Sequence, residues 1–438
     1  MNYLLIYSPR TSNRLQYILK TLMSEGLGMD YKCTSDLDEF ISYPLPKINY
    51  SELQIPDSLS VIPHTILFDH GIRDYQIQVK SDPGFEKIFF KNSSLQIPFD
   101  FFGAAFWLLT RYEEYLPHKS DSEGRFSYKT GLAYQYDFLQ IPLVNRWLGT
   151  FRLILLEHFP LLEFRERSYS FLSSIDVDNV YKYKHKGFVR TIAGFLSDKS
   201  SAERRQRLRI LSGKERDPFD CYDFLIQAHK QTDVEALYFF LLGDYGPNDK
   251  NHSSTDLRFQ SLIKHIADYS KIGLHPSFGS NYEHKQLRKE LARLGNITHR
   301  FITRSRQHFS MLRFPQTYKD LLQAGMTQDY SMGYTNYNGF RASYCYPYRW
   351  YSLEIEAASA LIIHPYCLSE VTLQADSGKK SVSMLHLANE LVNEVRLHKG
   401  EMISIFHNHT FTEEMKHFYI EFLTLASGPE KTKVNQPL

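Results

Sequence analysis

The sequence predicts an α/β protein built around a parallel sheet, on two observations. Short apolar runs at Ser170–Ile175, Ala236–Leu242, Lys271–His275, Ala360–His364 and Met402–His407 have the length and composition of buried strands. Segments with apolar residues at helical spacing lie between or after them, over 219–231, 254–269, 281–294, 316–324, 381–398 and 412–425. Alternation of this kind over about 270 residues implies parallel strands joined by helical crossovers, in an open sheet or a closed barrel. In either arrangement functional side chains collect at the carboxyl ends of the strands.

A smaller α/β domain is expected before this one, since 438 residues is long for a single domain. Tyr3–Ser8 alternates like a strand, and residues 12–25 place Leu15, Ile18, Leu19 and Leu22 on one helical face. A second strand is predicted at Ile66–Asp69, a buried helix over Pro98–Tyr115 and a polar loop over 118–132. A helix over Asn145–Phe159 follows, with Trp147, Leu148, Phe151, Ile154 and Leu155 as its apolar face. The division expected is 1–160, a domain of unassigned role, and 165–430, the larger domain.

Composition narrows the function classes. Lys plus Arg (51) nearly balances Asp plus Glu (49), so there is no electrostatic case for a nucleic-acid partner. The basic stretch 184–216 reads as an exposed helix or a mobile loop. Cys33, Cys221, Cys345 and Cys367 are widely spaced, which signals neither a thiolate zinc site nor a disulfide framework. The N-terminal apolar run is too short for a signal-peptide core, and no stretch approaches a transmembrane segment, so a cytoplasmic protein is expected. The aromatic share of 15% is high enough to supply both a core and surfaces that stack on sugar rings.

The run Phe171–Asn179 ends in Asp176 and Asp178, which point to the same side if the run is a strand. Asp244, His275, His407 and His409 also fall at strand ends, and Pro276 stops the strand that carries His275. Carboxylate and imidazole donors at matching ends form the ligand set of a catalytic divalent metal. His64, Asp69 and His70 lack a fourth ligand and read as structural. Ser173, Ser174 and Ser277 lie outside any GxSxG elbow. Two carboxylates on one strand cannot readily flank a glycosidic bond, which tells against a glycosidase. Asp329–Tyr334 and Gly339–Ser343 read as a loop shaping a substrate groove. Trp350, Tyr344, Tyr346 and Tyr348 are either sugar platforms or core.

Taken in order, Asp176-Val-Asp178, Ile272-Gly-Leu-His275-Pro-Ser, Leu312-Arg-Phe-Pro315, Gly339-Phe-Arg-Ala342 and Ile405-Phe-His407-Asn resemble the motifs of the polysaccharide deacetylase superfamily, the NodB-homology carbohydrate esterases, over residues 165–430. With the preceding domain, the chain is similar to fused polysaccharide deacetylase family proteins found beside exopolysaccharide genes. The resemblance implies a distorted (β/α) barrel of the deacetylase type. It also implies a metal-dependent hydrolase that removes N- or O-acetyl groups from a sugar or polysaccharide precursor, with a divalent metal ion, zinc first, as cofactor. Its implied partners are an acetylated carbohydrate and a polysaccharide assembly machinery.

By the same resemblance Asp176 is the general base, Asp178 the metal carboxylate, His275 the first metal imidazole and His407 the acid for the leaving group. Arg313 or Arg341 would hold the base carboxylate, and Arg313, Asp329, Arg341 and Trp350 are expected around the substrate. Two departures stand out. Val177 separates aspartates that are adjacent in the family, which leaves the roles of Asp176 and Asp178 open to exchange. The family's second metal histidine falls at Gly279, and His308 is the expected replacement. With that pair incomplete, the alternative is a catalytically decayed barrel that binds glycan or serves in assembly.

Overall fold

The structure, a computed structural model, describes residues 3–93, 96–198, 200–378 and 380–428, so positions 429 and 430 of the expected larger domain lie outside the described residues. Near the N-terminus β1 (Leu4–Tyr7) lies between β2 (Tyr31–Thr34) and β3 (Lys47–Asn49), with β4 (Leu59–Ser60) beyond β3, all parallel. The helix Asn13–Leu19 leaves β1 and is capped by the Ser12 hydroxyl, which accepts from the Leu15 amide. A strand expected at Ile66–Asp69 is instead a single tight turn, Thr65–Leu67, because the His64 ring caps it and accepts from the Ile66 amide. The antiparallel pair β5 (Lys80–Asp82) and β6 (Glu86–Ile88) follows.

The helix expected over Pro98–Tyr115 covers Phe101–Leu109, and every one of its residues is buried. Its sequence is apolar all round, as a helix with no solvent face requires. It stops at Arg111, whose backbone is left-handed (φ 54°). Beyond the short helix Leu132–Gln135, the helix Leu143–His158 keeps the predicted apolar face.

The larger sheet contains β7 (Ser170–Val177), β8 (Glu235–Leu241), β9 (Lys271–His275), β10 (Arg304–Ser305), β11 (Gln328–Asp329), β12 (Tyr348–Ser352), β13 (Ala357–Ile363), β14 (Leu368–Ser369) and β15 (Glu401–His407). Their order is β12-β13-β11-β10-β9-β8-β7-β15-β14, and only β12, at one edge, is antiparallel. Among the described residues no ladder joins β12 to β14, so the hydrogen-bonded sheet keeps two edges and does not close as a ring. The basic stretch forms two helices, Phe188–Ser197 and Ser201–Leu211, joined by an Arg207–Asp198 pair at 2.7 Å.

Register brings the functional ends together. His407 on β15 lies opposite Asp176 on β7, and His275 on β9 lies opposite Leu241 on β8. One continuous apolar core contains residues of both sheets. Charged pairs also run from the N-terminal region to the turn between β12 and β13 and to the helix Ser381–Leu397: Arg14 Nε to Glu356 at 2.8 Å and Arg146 to Glu394 at 2.6 Å. No helix among the described residues is long and apolar enough to cross a membrane.

Candidate metal centre

Asp176 and Asp178 leave the end of β7 on one side, as strand alternation requires. His275 is the last residue of β9, and His308 follows β10 by three residues at the head of the turn His308–Ser310. The Nε2 atom of His275 is 3.2 Å from Asp178 Oδ1 and 3.9 Å from Asp176 Oδ2, and Nε2 of His308 is 3.8 Å from Asp178 Oδ2. One donor atom from each of Asp178, His275 and His308 lies within 4.8 Å of the others.

The outer contacts fix which nitrogens face inward. His275 Nδ1 meets the carbonyl oxygen of Arg306, so Nδ1 carries the proton and Nε2 presents its lone pair. His308 Nδ1 is 2.9 Å from Asp249 Oδ1, which turns its Nε2 inward in the same way. Asp249 is held in turn by the backbone N–H groups of Phe278 (2.8 Å) and Gly279 (3.1 Å). Gly279, where the family pattern has a histidine, thus supports the carboxylate that orients His308. Asp178 Oδ1 and His275 Nε2 are buried and have no hydrogen-bond partner. Two buried acceptors facing each other are costly unless a cation or a proton lies between them, so these residues fit a divalent cation.

The electrostatics agree with this reading. Burial pushes the Asp178 carboxyl up, but the His308, His275 and His407 imidazoles outweigh it and hold the group well below the ordinary range. Burial pulls His308 down, while Asp178 and Asp249 push it up to about 9. The pocket therefore attracts positive charge, whether a proton or a metal ion.

Asp176, 3% exposed, receives Arg306 Nη1 on Oδ1 at 3.1 Å. Arg306 is fully buried, donates from Nη1 to Ser174 and from Nε to the Tyr330 carbonyl at 3.0 Å, and lies over the Phe239 ring. It takes the place expected of Arg313 or Arg341. Neither of those reaches Asp176: Arg313 donates to the Asn281 carbonyl at 3.0 Å, and Arg341 clasps Glu114. The reason is a strand boundary. β10 ends at Ser305, so Arg306 is the arginine at the sheet edge.

Two other expected substrate residues are structural. Asp329 is fully buried and accepts from the Ser331 amide (2.9 Å) and from the Ser305 hydroxyl (3.0 Å), which fixes the turn after β11. Trp350 is 3% exposed on β12 and packs edge-on against Tyr318, so it offers no face to a sugar. Tyr344, Tyr346 and Tyr348 are buried as well. His64 stacks on Phe90 and Asp69 pairs with Arg73, in keeping with a structural role.

His407 completes the rim. Its Nδ1 is 2.9 Å from Oε1 of Glu370, a fully buried carboxylate that also accepts from the His407 amide and the Thr410 hydroxyl. Burial pulls the imidazole down, but Glu370 raises it to about 10, so at neutral pH it is an imidazolium. Sequence reasoning missed Arg306, Asp249 and Glu370. The first lies in the Arg304–Ser310 stretch that carries His308, and the second in the loop after β8. Asp244, in the same loop, pairs at the surface with Lys289 and Arg293. Nothing in the sequence singles out Glu370.

Residues 4–160 match a family of unknown function, DUF7033. No curated protein matches the chain. Among solved structures, a Mycobacterium smegmatis protein assigned as a polysaccharide deacetylase is 14% identical, with 61% of this chain and 88% of that one covered and a TM-score of 0.38. The polysaccharide deacetylase from Bacillus cereus is 10% identical over 58% and 86% of the two chains, with a TM-score of 0.30. A CE4 family pseudoenzyme from Bacillus anthracis is 11% identical over 59% and 60%, with a TM-score of 0.29.

Proposed function

We propose that the protein is a metal-dependent hydrolase that removes N- or O-acetyl groups from a carbohydrate. The observation that carries this reading is the set of inward-facing donors on Asp178, His275 and His308, two of them buried without a partner, beside an arginine-held Asp176. Two imidazoles and one carboxylate favour zinc among divalent ions. A bound divalent ion would polarise the acyl oxygen and make a water more acidic.

Each residue of the chain has a distinct part in the reaction. Asp176 is tied to Arg306 through Oδ1, while Oδ2 turns toward the donor cluster, where it can take a proton from the attacking water. What supports giving Asp178 the ligand role is that both imidazoles face it rather than an arginine. His407, kept charged by Glu370, can deliver a proton to the departing nitrogen or oxygen.

Metal analysis of the full chain after zinc supplementation, combined with acetate release from a panel of acetylated sugars, tests the reading. We expect one bound ion, lost in His275→Ala, and acetate release that disappears in the same variant. A chain that takes up no divalent metal would sink the hydrolase and leave a glycan-binding or assembly protein.

A further inference from the structure

We propose that the N-terminal region supplies a second sugar subsite beside the metal centre, so that the substrate is a glycan of several units rather than a single sugar. This rests on the hydrolase reading above. A cavity of about 260 Å³ lies between residues 121–129 and the turns that follow β10 and β11. That size suits one saccharide ring of a longer ligand.

The cavity adjoins the centre through Phe309. This residue follows His308, sets its ring 4.2 Å from the imidazole between centroids, and also lines the cavity. Phe309 and Ser310 both have left-handed backbones (φ 59° and 48°), which non-glycine residues rarely adopt and which the surroundings must hold in place. Arg125 provides one such hold: its Nη1 donates to the Phe309 carbonyl at 2.8 Å and to Thr335 Oγ1 at 2.6 Å, with Asp121 on its Nε at 2.8 Å. The N-terminal loop is therefore fastened to the turn that carries His308.

The lining has the chemistry of a sugar site. Tyr128 presents a half-buried ring, backed by Tyr337 at 4.9 Å and Tyr334 at 6.2 Å between centroids. Such backing holds a platform in one orientation, as stacking on the C–H face of a sugar requires. Ser127, Thr335 and Asn336 place hydroxyl and amide groups around the same space. The two buried arginines of the lining are already matched, Arg125 by Asp121 and Arg341 by Glu114, while Lys129 holds its ammonium at the rim, 5.9 Å from the centroid of the Tyr128 ring.

The test compares mono- and tetrasaccharides of N-acetylated hexosamines and O-acetylated hexoses as substrates of the full chain. We expect kcat/KM to be at least tenfold higher for tetrasaccharides. Tyr128→Ala, which removes the platform, and Ser127→Trp, which fills the cavity from its rim, should each abolish that preference through KM while metal content and melting temperature hold. Acetate release that ignores chain length, or a preference that survives both variants, would overturn the subsite and leave the hydrolase standing. No release from any member of the panel would overturn the hydrolase and the subsite with it.

Discussion

Arg306 with Asp176 and Arg341 with Glu114 are chemically the same pair, and all four residues are buried. Their surroundings differ in how many acceptor sites are filled. Glu114 receives Arg341 Nε at 2.9 Å and Arg111 Nε at 2.8 Å on one oxygen, and Arg341 Nη2 at 2.5 Å on the other. Burial pushes that carboxyl up, yet the two guanidinium groups hold it below its ordinary range. Asp176 receives a guanidinium N–H on Oδ1, and its Oδ2 faces the donor cluster. A carboxylate filled on both oxygens can only brace the seam between the N-terminal region and the larger sheet. One that keeps an oxygen turned to the site can accept a proton.

Substitution separates the two pairs. Asp176→Asn should lower acetate release by about 10²- to 10⁴-fold, the usual contribution of a positioned base. Bound metal, read by elemental analysis, should stay at the level of the parent chain. Glu114→Gln should act on folding, because it leaves the buried Arg341 without a carboxylate and Arg111 with Glu113 alone: about 3–5 kcal/mol of stability is expected to be lost in chemical denaturation. Equal destabilisation by both substitutions would erase the distinction.

The same contrast shows what the sequence could reveal. β7, β8, β9 and β15 are readable within a few residues because each is a nearly continuous buried run, and that is enough to place Asp176, Asp178, His275 and His407 at one edge. β10 and β11 are two residues long, too short for any periodicity to mark them. That is why the sequence points to Arg313 and Arg341 rather than to Arg306 as the partner of Asp176. Burial misled in the other direction: Trp350 and Asp329 have the chemistry of a sugar site and the positions of a core. Asp249 and Glu370 act through a histidine each, and such pairings depend on tertiary contacts between residues 59 and 37 positions apart.

Those two outer carboxylates sharpen the comparison further, since each sets the state of an imidazole from outside, Asp249 at Nδ1 of His308 and Glu370 at Nδ1 of His407. Asp249→Ala removes the acceptor that fixes the His308 tautomer, and metal affinity should fall about 10- to 100-fold in competition with a chelator. Retention of the parent affinity would mean that His308 is not held through Asp249.

The smallest effect expected is a pH dependence at the other rim. The His407 imidazole is raised to about 10, above its ordinary value near 6.5, because Glu370 outweighs the opposing effect of burial. A raised value means that the pairing stabilises the fold fully below about pH 6.5, and that this share is lost as pH rises through about 10. If His407 also donates the proton to the leaving group, acetate release should fall along the same alkaline limb. Glu370→Gln removes the charge that holds the proton, so the limb should move down toward the ordinary imidazole range in both the denaturation midpoint and the rate. A limb that stays near pH 10 in Glu370→Gln would assign the alkaline titration to another group and remove His407 from the proton path.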